Sequence, residues 1–198
     1  MASVPITPKA AEIDDHVKTA YYGFIEEFAK ESDRAAVILG AAKLDILLYQ
    51  MLKKFLRPCT SSTDELLDGE AGLGTFSSRI NACHRLGLID DHLTRALHLI
   101  RKIRNNFAHE IAGANLSSGA HRDRIRELVA PFKPYVAFGD WLKSKTFNHV
   151  SGPAAEFRAC LAVIGARLEG YVERLKPFIR EKPCVLVPES WIESDNKL

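Results

Sequence analysis

Apolar residues recur every three or four positions along most of this chain, which is the period of helices that bury one face. Ile13, Val17, Ala20 or Tyr21, Phe24, Ile25 and Phe28 predict a helix over 13–30, with Asp14 and Asp15 near its dipole-favoured start. A more apolar helix is expected over 33–56, where Val37, Leu39, Ala41, Leu44, Ile46, Leu47, Leu48, Met51 and Leu52 leave almost no polar side. That pattern suits the central helix of a bundle. Arg57-Pro58 and the Ser/Thr cluster after it mark a break, and Thr63 to Leu67 predict a short helix.

Thr75 is a candidate cap for a helix through Phe76, Ile80, Cys83 and Leu86 that ends at Gly87. Asp90 or Asp91 would cap the next, with a stripe of Leu93, Ala96, Leu99, Ile100, Ile103 and Phe107. After a polar loop over 113–119, a helix is expected around Asp123 to Phe132, then an irregular stretch containing Pro131, Pro134, Trp141 and Phe147. Pro153 fits the first turn of a long final helix whose buried face is Phe157, Leu161, Val163 or Ile164, Leu168, Val172, Leu175 and Phe178, kinked or ended by Pro177. Val185-Leu186-Val187 is a candidate strand, bracketed by prolines.

No strand alternation is sustained and no segment repeats at solenoid spacing. The expectation is therefore an all-α helical bundle: an N-terminal arm over 1–9, one domain over 10–182 and a C-terminal tail over 183–198. The three glycines at 69, 72 and 74 read as turns, since no strand precedes them and no Gly-Lys-Ser/Thr follows.

At 198 residues the chain has room for one core and no second catalytic domain. A formal net charge of +2 predicts no partner, so any affinity for nucleic acid must be local. Cys59, Cys83, Cys160 and Cys184 lack C-x-x-C spacing. With no secretory leader and no apolar run of membrane-spanning length read from the sequence, they are expected to be free thiols of a cytoplasmic protein without membrane contact. His84, His92, His98 and His109 form no H-x-x-x-H pair, so neither a metal nor another cofactor is expected. Asp14, Asp15, Glu26, Glu27 and Glu31 read as a solvated acidic face.

The most informative segment is Arg104-Asn105-Asn106-Phe107-Ala108-His109, at the end of the fourth long helix. Helical residues advance about 100° each, which puts Arg104 at the border of the apolar stripe and sets Arg101, Asn105, His98 and His109 along the adjoining polar side. The result is a polar, positively charged ledge. An arginine can grip phosphate through two parallel hydrogen bonds, and a histidine exchanges protons near neutral pH. Together they suit metal-free RNA cleavage, with His109 transferring a proton, Arg104 stabilising charge on phosphorus-bound oxygen and Asn105 orienting the pair; Arg101 and Arg104 would hold phosphate.

Arg104 and His109 are nevertheless about 140° apart on an ideal helix. Either the helix unwinds after Phe107, or a second chain completes the site as a homodimer. The alternative is purely structural: Arg104 pairs with an acid such as Asp45, and Asn105 and His109 cap the helix end.

Gly74-Thr75-Phe76-Ser77-Ser78-Arg79-Ile80, then Leu86-Gly87-Leu88-Ile89, then Ile100 through His109, resemble in that order the core signature of the mannitol operon repressor family. Asp33-Arg34-Ala35-Ala36 with Leu44-Asp45 and Leu47-Leu48 is similar to its opening segment, so the resemblance spans roughly residues 20 to 180. More broadly, Arg104, Asn105 and His109 match the Arg-x4-6-His motif of HEPN domains. The resemblance implies an all-helical fold and a transcriptional regulator. No helix-turn-helix with a basic recognition helix is evident, so sequence-specific DNA reading by the chain itself is not expected; it would act through a protein partner or on RNA. The HEPN resemblance implies the second possibility, a metal-independent endoribonuclease working as a dimer. His121-Arg122-Asp123-Arg124-Ile125-Arg126 is the next candidate for RNA contact, and Tyr135, Phe138, Trp141 and Phe147 form an aromatic cluster suited to burial or to base stacking.

Overall fold

The structure is a computed structural model describing residues 22–24, 26–69, 72–110, 113–117, 119–143, 150–179 and 186. Among these no strand occurs, and the protein is an all-α bundle. Residues 22–24 and 26–29 are helical, and the elements that follow are α1 (Asp33–Phe55), α2 (Phe76–Arg85), α3 (Asp91–His109), α4 (Gly119–Val129), α5 (Val136–Leu142) and α6 (Pro153–Arg174). The 1–9 arm lies outside the described residues, as do most of the expected 13–30 helix and all of the 183–198 tail except an exposed Leu186.

Local chemistry sets the boundaries. The Ser32 side chain accepts from the Ala35 amide to open α1, and Asp90 does the same for Leu93 at the start of α3. Thr75 and Ser78 form a reciprocal capping box at the start of α2. Gly87, at φ +70°, ends that helix: its amide donates to the His84 carbonyl and the Leu88 amide to that of Cys83. Only a residue without a side chain adopts this conformation cheaply, and the turn folds the buried Leu88 back onto the helix. α6 ends at Arg174, ahead of Pro177, with Leu175 already extended.

α1 packs against α2, α3 and α6, while α6 also carries α4 and α5. The expected central position of α1 is therefore shared with α6, whose buried residues run nearly all round it: Phe157, Leu161, Ile164 and Leu168, but also Ala155, Ala159, Ala162, Gly165 and Ala166. Small residues let neighbours approach closely. A Cβ on Gly165 would sit 2.1 Å from the Phe24 ring, and one on Gly40 would sit 2.4 Å from Leu161, so both contacts exist only because those side chains are missing.

Several expectations are corrected. Thr63 to Leu67 is no helix but a single turn, in which the Asp64 side chain accepts from the Leu66 and Leu67 amides. The helix expected from about Asp123 begins at Gly119, and the stretch read as irregular contains α5, which starts just after Pro134. Phe178, expected on the buried face of the last helix, lies beyond α6 and is exposed. No run of membrane-spanning length is expected from the sequence, yet by length and composition α1 is long and apolar enough to cross a membrane. In the fold, Ala36, Val37, Gly40, Ala41, Leu44, Leu47, Leu48, Met51 and Leu52 of that helix are buried inside the bundle.

One buried charge ties the framework together. Arg158, 2% exposed, donates to the carbonyls of Phe28, Glu31 and Ala154 and to Asp33 Oδ1 at 3.0 Å. Asp33 Oδ2 accepts from the Leu116 amide, so the same carboxylate joins the start of α1, α6 and the 113–117 loop. Cys59 is a free, exposed thiol; Cys83 and Cys160 are free and buried, and burial pushes the Cys83 thiol up to about 12 and Cys160 well above the usual range. Cys184 lies outside the described residues.

Candidate functional site

α3 carries the motif, and its apolar side explains its placement: Ala96, Leu97, Leu99, Ile100, Ile103 and Phe107 are buried. The helix stays regular to His109, with Glu110 as the extended residue that follows. It does not unwind after Phe107. Arg104 and His109 therefore stay about 140° apart around one helix, and a single chain does not bring them together.

An arginine from another element closes the helix end. Arg34, from the first turn of α1, donates to the Phe107 carbonyl at 2.5 Å and to the Glu110 carbonyl. A guanidinium here satisfies carbonyls that the helix leaves without partners and complements the negative end of its dipole. The cap expected from Asn105 and His109 is thus supplied by Arg34. Sequence reasoning missed that role, because the partners are 73 and 76 residues apart.

The proposed pairing of Arg104 with Asp45 is also overturned. Asp45 Oδ1 accepts from Arg79 Nη1 at 2.9 Å, and Arg79 further donates to the carbonyls of Leu67 and Leu73. Arg104, half-buried, donates to Asn105 Oδ1 at 3.0 Å. Neither Arg101 nor Arg104 forms an ion pair among the described residues, and the exposed His109 makes no hydrogen bond there. The structure thus brings Arg104 and Asn105 together and leaves His109 apart.

Arg101 is half-buried, and its Nε is buried without a hydrogen-bond partner. One turn earlier, His98 Nε2 lies 3.1 Å from Asn81 Oδ1 of α2, while Nδ1 is buried and unpartnered. Burial first, then the charges of Arg101, Lys102 and Arg95, hold the His98 pKa below the usual histidine value. His98 is therefore a neutral member of the ledge at neutral pH, and the positive charge comes from Arg101, Lys102 and Arg104. In the amide orientation that satisfies both its ends, Asn106 donates to the Lys102 carbonyl at 3.2 Å and accepts from Arg124 Nη1 at 2.8 Å. That contact links α4 to the ledge.

The His121 to Arg126 stretch divides between roles. The His121 ring is buried 4.7 Å from that of Phe107, with Nε2 3.2 Å from Glu110 Oε1. Arg126 lies near Asp123 at 3.7 Å, an ordinary pair within the helix. Of the aromatic cluster, Phe138 is buried and stacked on Phe132 at 5.3 Å, Tyr135 is 67% exposed, and Phe147 and the Trp141 side chain lie outside what is described. Glu27 of the expected acidic face pairs with Lys43 at 2.6 Å. No group of three potential metal ligands occurs among the described residues.

Fold and site together define a helical bundle with a basic, hydrogen-bonding ledge along one exposed helix edge. No family model, no curated protein and no solved structure matches the chain.

Proposed function

We propose that the protein is a regulator of the mannitol operon repressor kind, acting without a DNA-reading motif of its own through a partner seated on the α3 ledge. One observation carries this reading. Arg101 and Arg104 are partly exposed cations with no acid paired to them among the described residues, while Arg79 and Arg158 each hold a carboxylate inside the fold. Such arginines keep donors for the phosphates of an RNA or the carboxylates of a partner protein.

The test is a titration of a fluorescent mixed RNA pool against the wild-type protein and an Arg101→Glu/Arg104→Glu variant. Saturable binding that weakens with salt and is lost in the variant supports an RNA partner. Binding unchanged by the double reversal removes the ledge from RNA recognition and leaves the protein-partner form.

A second reading, a metal-independent HEPN-type endoribonuclease, is favoured by the exposed, unbonded His109 and by the Arg104–Asn105 hydrogen bond. A histidine would take the proton from a ribose 2′-hydroxyl, whose oxygen attacks the phosphorus to form a 2′,3′-cyclic phosphate. The 5′-oxygen would leave with a proton from a second acid, and Arg104 would bind the charged phosphate. With Arg104 and His109 divergent on one helix, that site needs residues from two chains. Incubation of RNA with chelator present, beside His109→Ala, checks it: cyclic-phosphate ends made by the wild type and absent in the variant support cleavage, and intact RNA in both argues for binding alone.

A further inference from the structure

Away from the ledge, three separate segments enclose a surface pocket of about 360 Å³. It is lined by Phe55 and Leu56 at the end of α1, Arg57 just beyond, Arg85 and Leu86 at the end of α2, and Phe178 from the segment after α6. The Phe178 amide donates to the Phe55 carbonyl at 2.8 Å, and the two rings lie 5.5 Å apart, so this wall is fixed by backbone and side chain together. Leu86 and Phe178 are exposed, while Phe55 and Leu56 are half-buried. The floor is therefore apolar and open, and charge sits only on its rim.

That charge is positive. Arg57 and Arg85 are exposed, and neither forms an ion pair or a side-chain hydrogen bond among the described residues. The acids closest to them in sequence are engaged elsewhere: Asp64 accepts from the Leu66 and Leu67 amides, Asp90 from the Leu93 amide, and Asp91 lies 2.7 Å from His84 Nε2. Beyond the pocket, the ends of α1 and α6 add Lys53, Lys54, Arg174 and Lys176 against the single acid Glu173. Two helix ends meet at the rim and contribute about half a negative charge each, whereas each arginine carries a full positive one. The arginines win, and the dipoles leave their donors unfilled.

We propose that this pocket binds a small amphipathic monocarboxylate, its carboxylate held by Arg57 and Arg85 and its hydrocarbon body laid against Phe55, Leu56, Leu86 and Phe178. The volume falls in the range of small-molecule sites, roughly 300–1,000 Å³. A guanidinium meets a carboxylate through two parallel hydrogen bonds, and removing apolar surface from water holds the body. A carboxylate carries one charge, against about 1.5 to 2 for a phosphate ester, and so costs less to bring against an apolar floor. The site is distinct from the ledge and does not rest on its function. It lies at the turn leading into α3, and Arg104 is thirteen residues, about 20 Å, along that helix from Asp91.

Titration of the full chain with sodium hexanoate, followed through its amide NMR signals, tests this. The expected result is saturable binding with a Kd of about 1 mM, suited to a small ligand in an open pocket, and shifts concentrated at Phe55 to Arg57, Arg85, Leu86 and Phe178. Hexanol, with the same chain and no charge, and acetate, with the headgroup alone, are each expected to bind at least tenfold more weakly. Arg57→Gln/Arg85→Gln is expected to weaken hexanoate at least tenfold at an unchanged thermal midpoint. The hexanol comparison uses the wild type and decides the matter should that variant prove unstable. Hexanol binding as tightly as hexanoate, shifts centred on Arg101 and Arg104, or no saturation well above that concentration overturns the proposal. So does a chain that ignores hexanoate and binds anionic phospholipid vesicles, which would make a lipid surface the occupant.

Discussion

Two sets of arginines in this bundle have opposite fates. Arg158 is 2% exposed and spends four hydrogen bonds on three carbonyls and the Asp33 carboxylate. Arg101 and Arg104 lie half-buried on α3 with no carboxylate paired to them among the described residues, and Arg101 Nε has no hydrogen-bond partner there. A buried guanidinium is tolerated only when its donors are filled, so Arg158 is committed to the fold. Arg101 Nε is itself buried, so it is the outer nitrogens of Arg101 and Arg104 that remain for a ligand. Residue type alone does not separate the two roles; the geometry of partners does.

The largest effect is expected at Arg158. Arg158→Ala strands Asp33 and the carbonyls of Phe28, Glu31 and Ala154, and is expected to cost about 3–5 kcal/mol, read as a lowered midpoint in urea. Arg34→Ala removes the cap on α3 and is expected to cost about 1–3 kcal/mol, with faster amide exchange confined to the last turn before His109. A loss of exchange protection spread evenly through the bundle would contradict this local role.

His98 sharpens the contrast through pH. Its folded-state pKa is depressed, so as pH falls below the ordinary histidine value the unfolded chain takes up a proton that the folded one resists. The stability that neutral His98 contributes is present above about pH 6.5, the unperturbed histidine value, and declines as pH falls from there towards the folded-state pKa. His98→Asn is expected to flatten that part of the decline, measured by thermal unfolding between neutral and mildly acidic pH. A histidine titrating at or above its ordinary value in an NMR pH series would show the burial argument to be wrong.

Much of the fold was legible because its helices obey one period. The stripe from Ala96 to Phe107, the caps at Thr75 and Asp90 and the turn at Gly87 follow from local chemistry, and each occurs where that chemistry puts it. α5 was hidden because it is seven residues long and follows two prolines. The site was legible only in part. The ledge residues follow from helical angles, but most partners of Arg34, Arg79 and Arg158 depend on contacts 34 to 130 residues apart. For that reason the sequence offers Asp45 only as an example of an acid for Arg104, whereas the fold gives it to Arg79. The charge state of His98 was equally out of reach, since it depends on burial against α2.

The most direct test of the central claim, that the α3 ledge is a docking face and not a structural element, is paired measurement on Arg101→Ala/Arg104→Ala. Binding of an RNA pool is followed by fluorescence anisotropy, and stability by urea unfolding. The expected result is a stability change within about 0.5 kcal/mol, because no ion pair among the described residues is lost, together with a weakening of RNA binding of at least tenfold and a shallower dependence on salt. A large loss of stability with binding intact would contradict it and return both arginines to the fold.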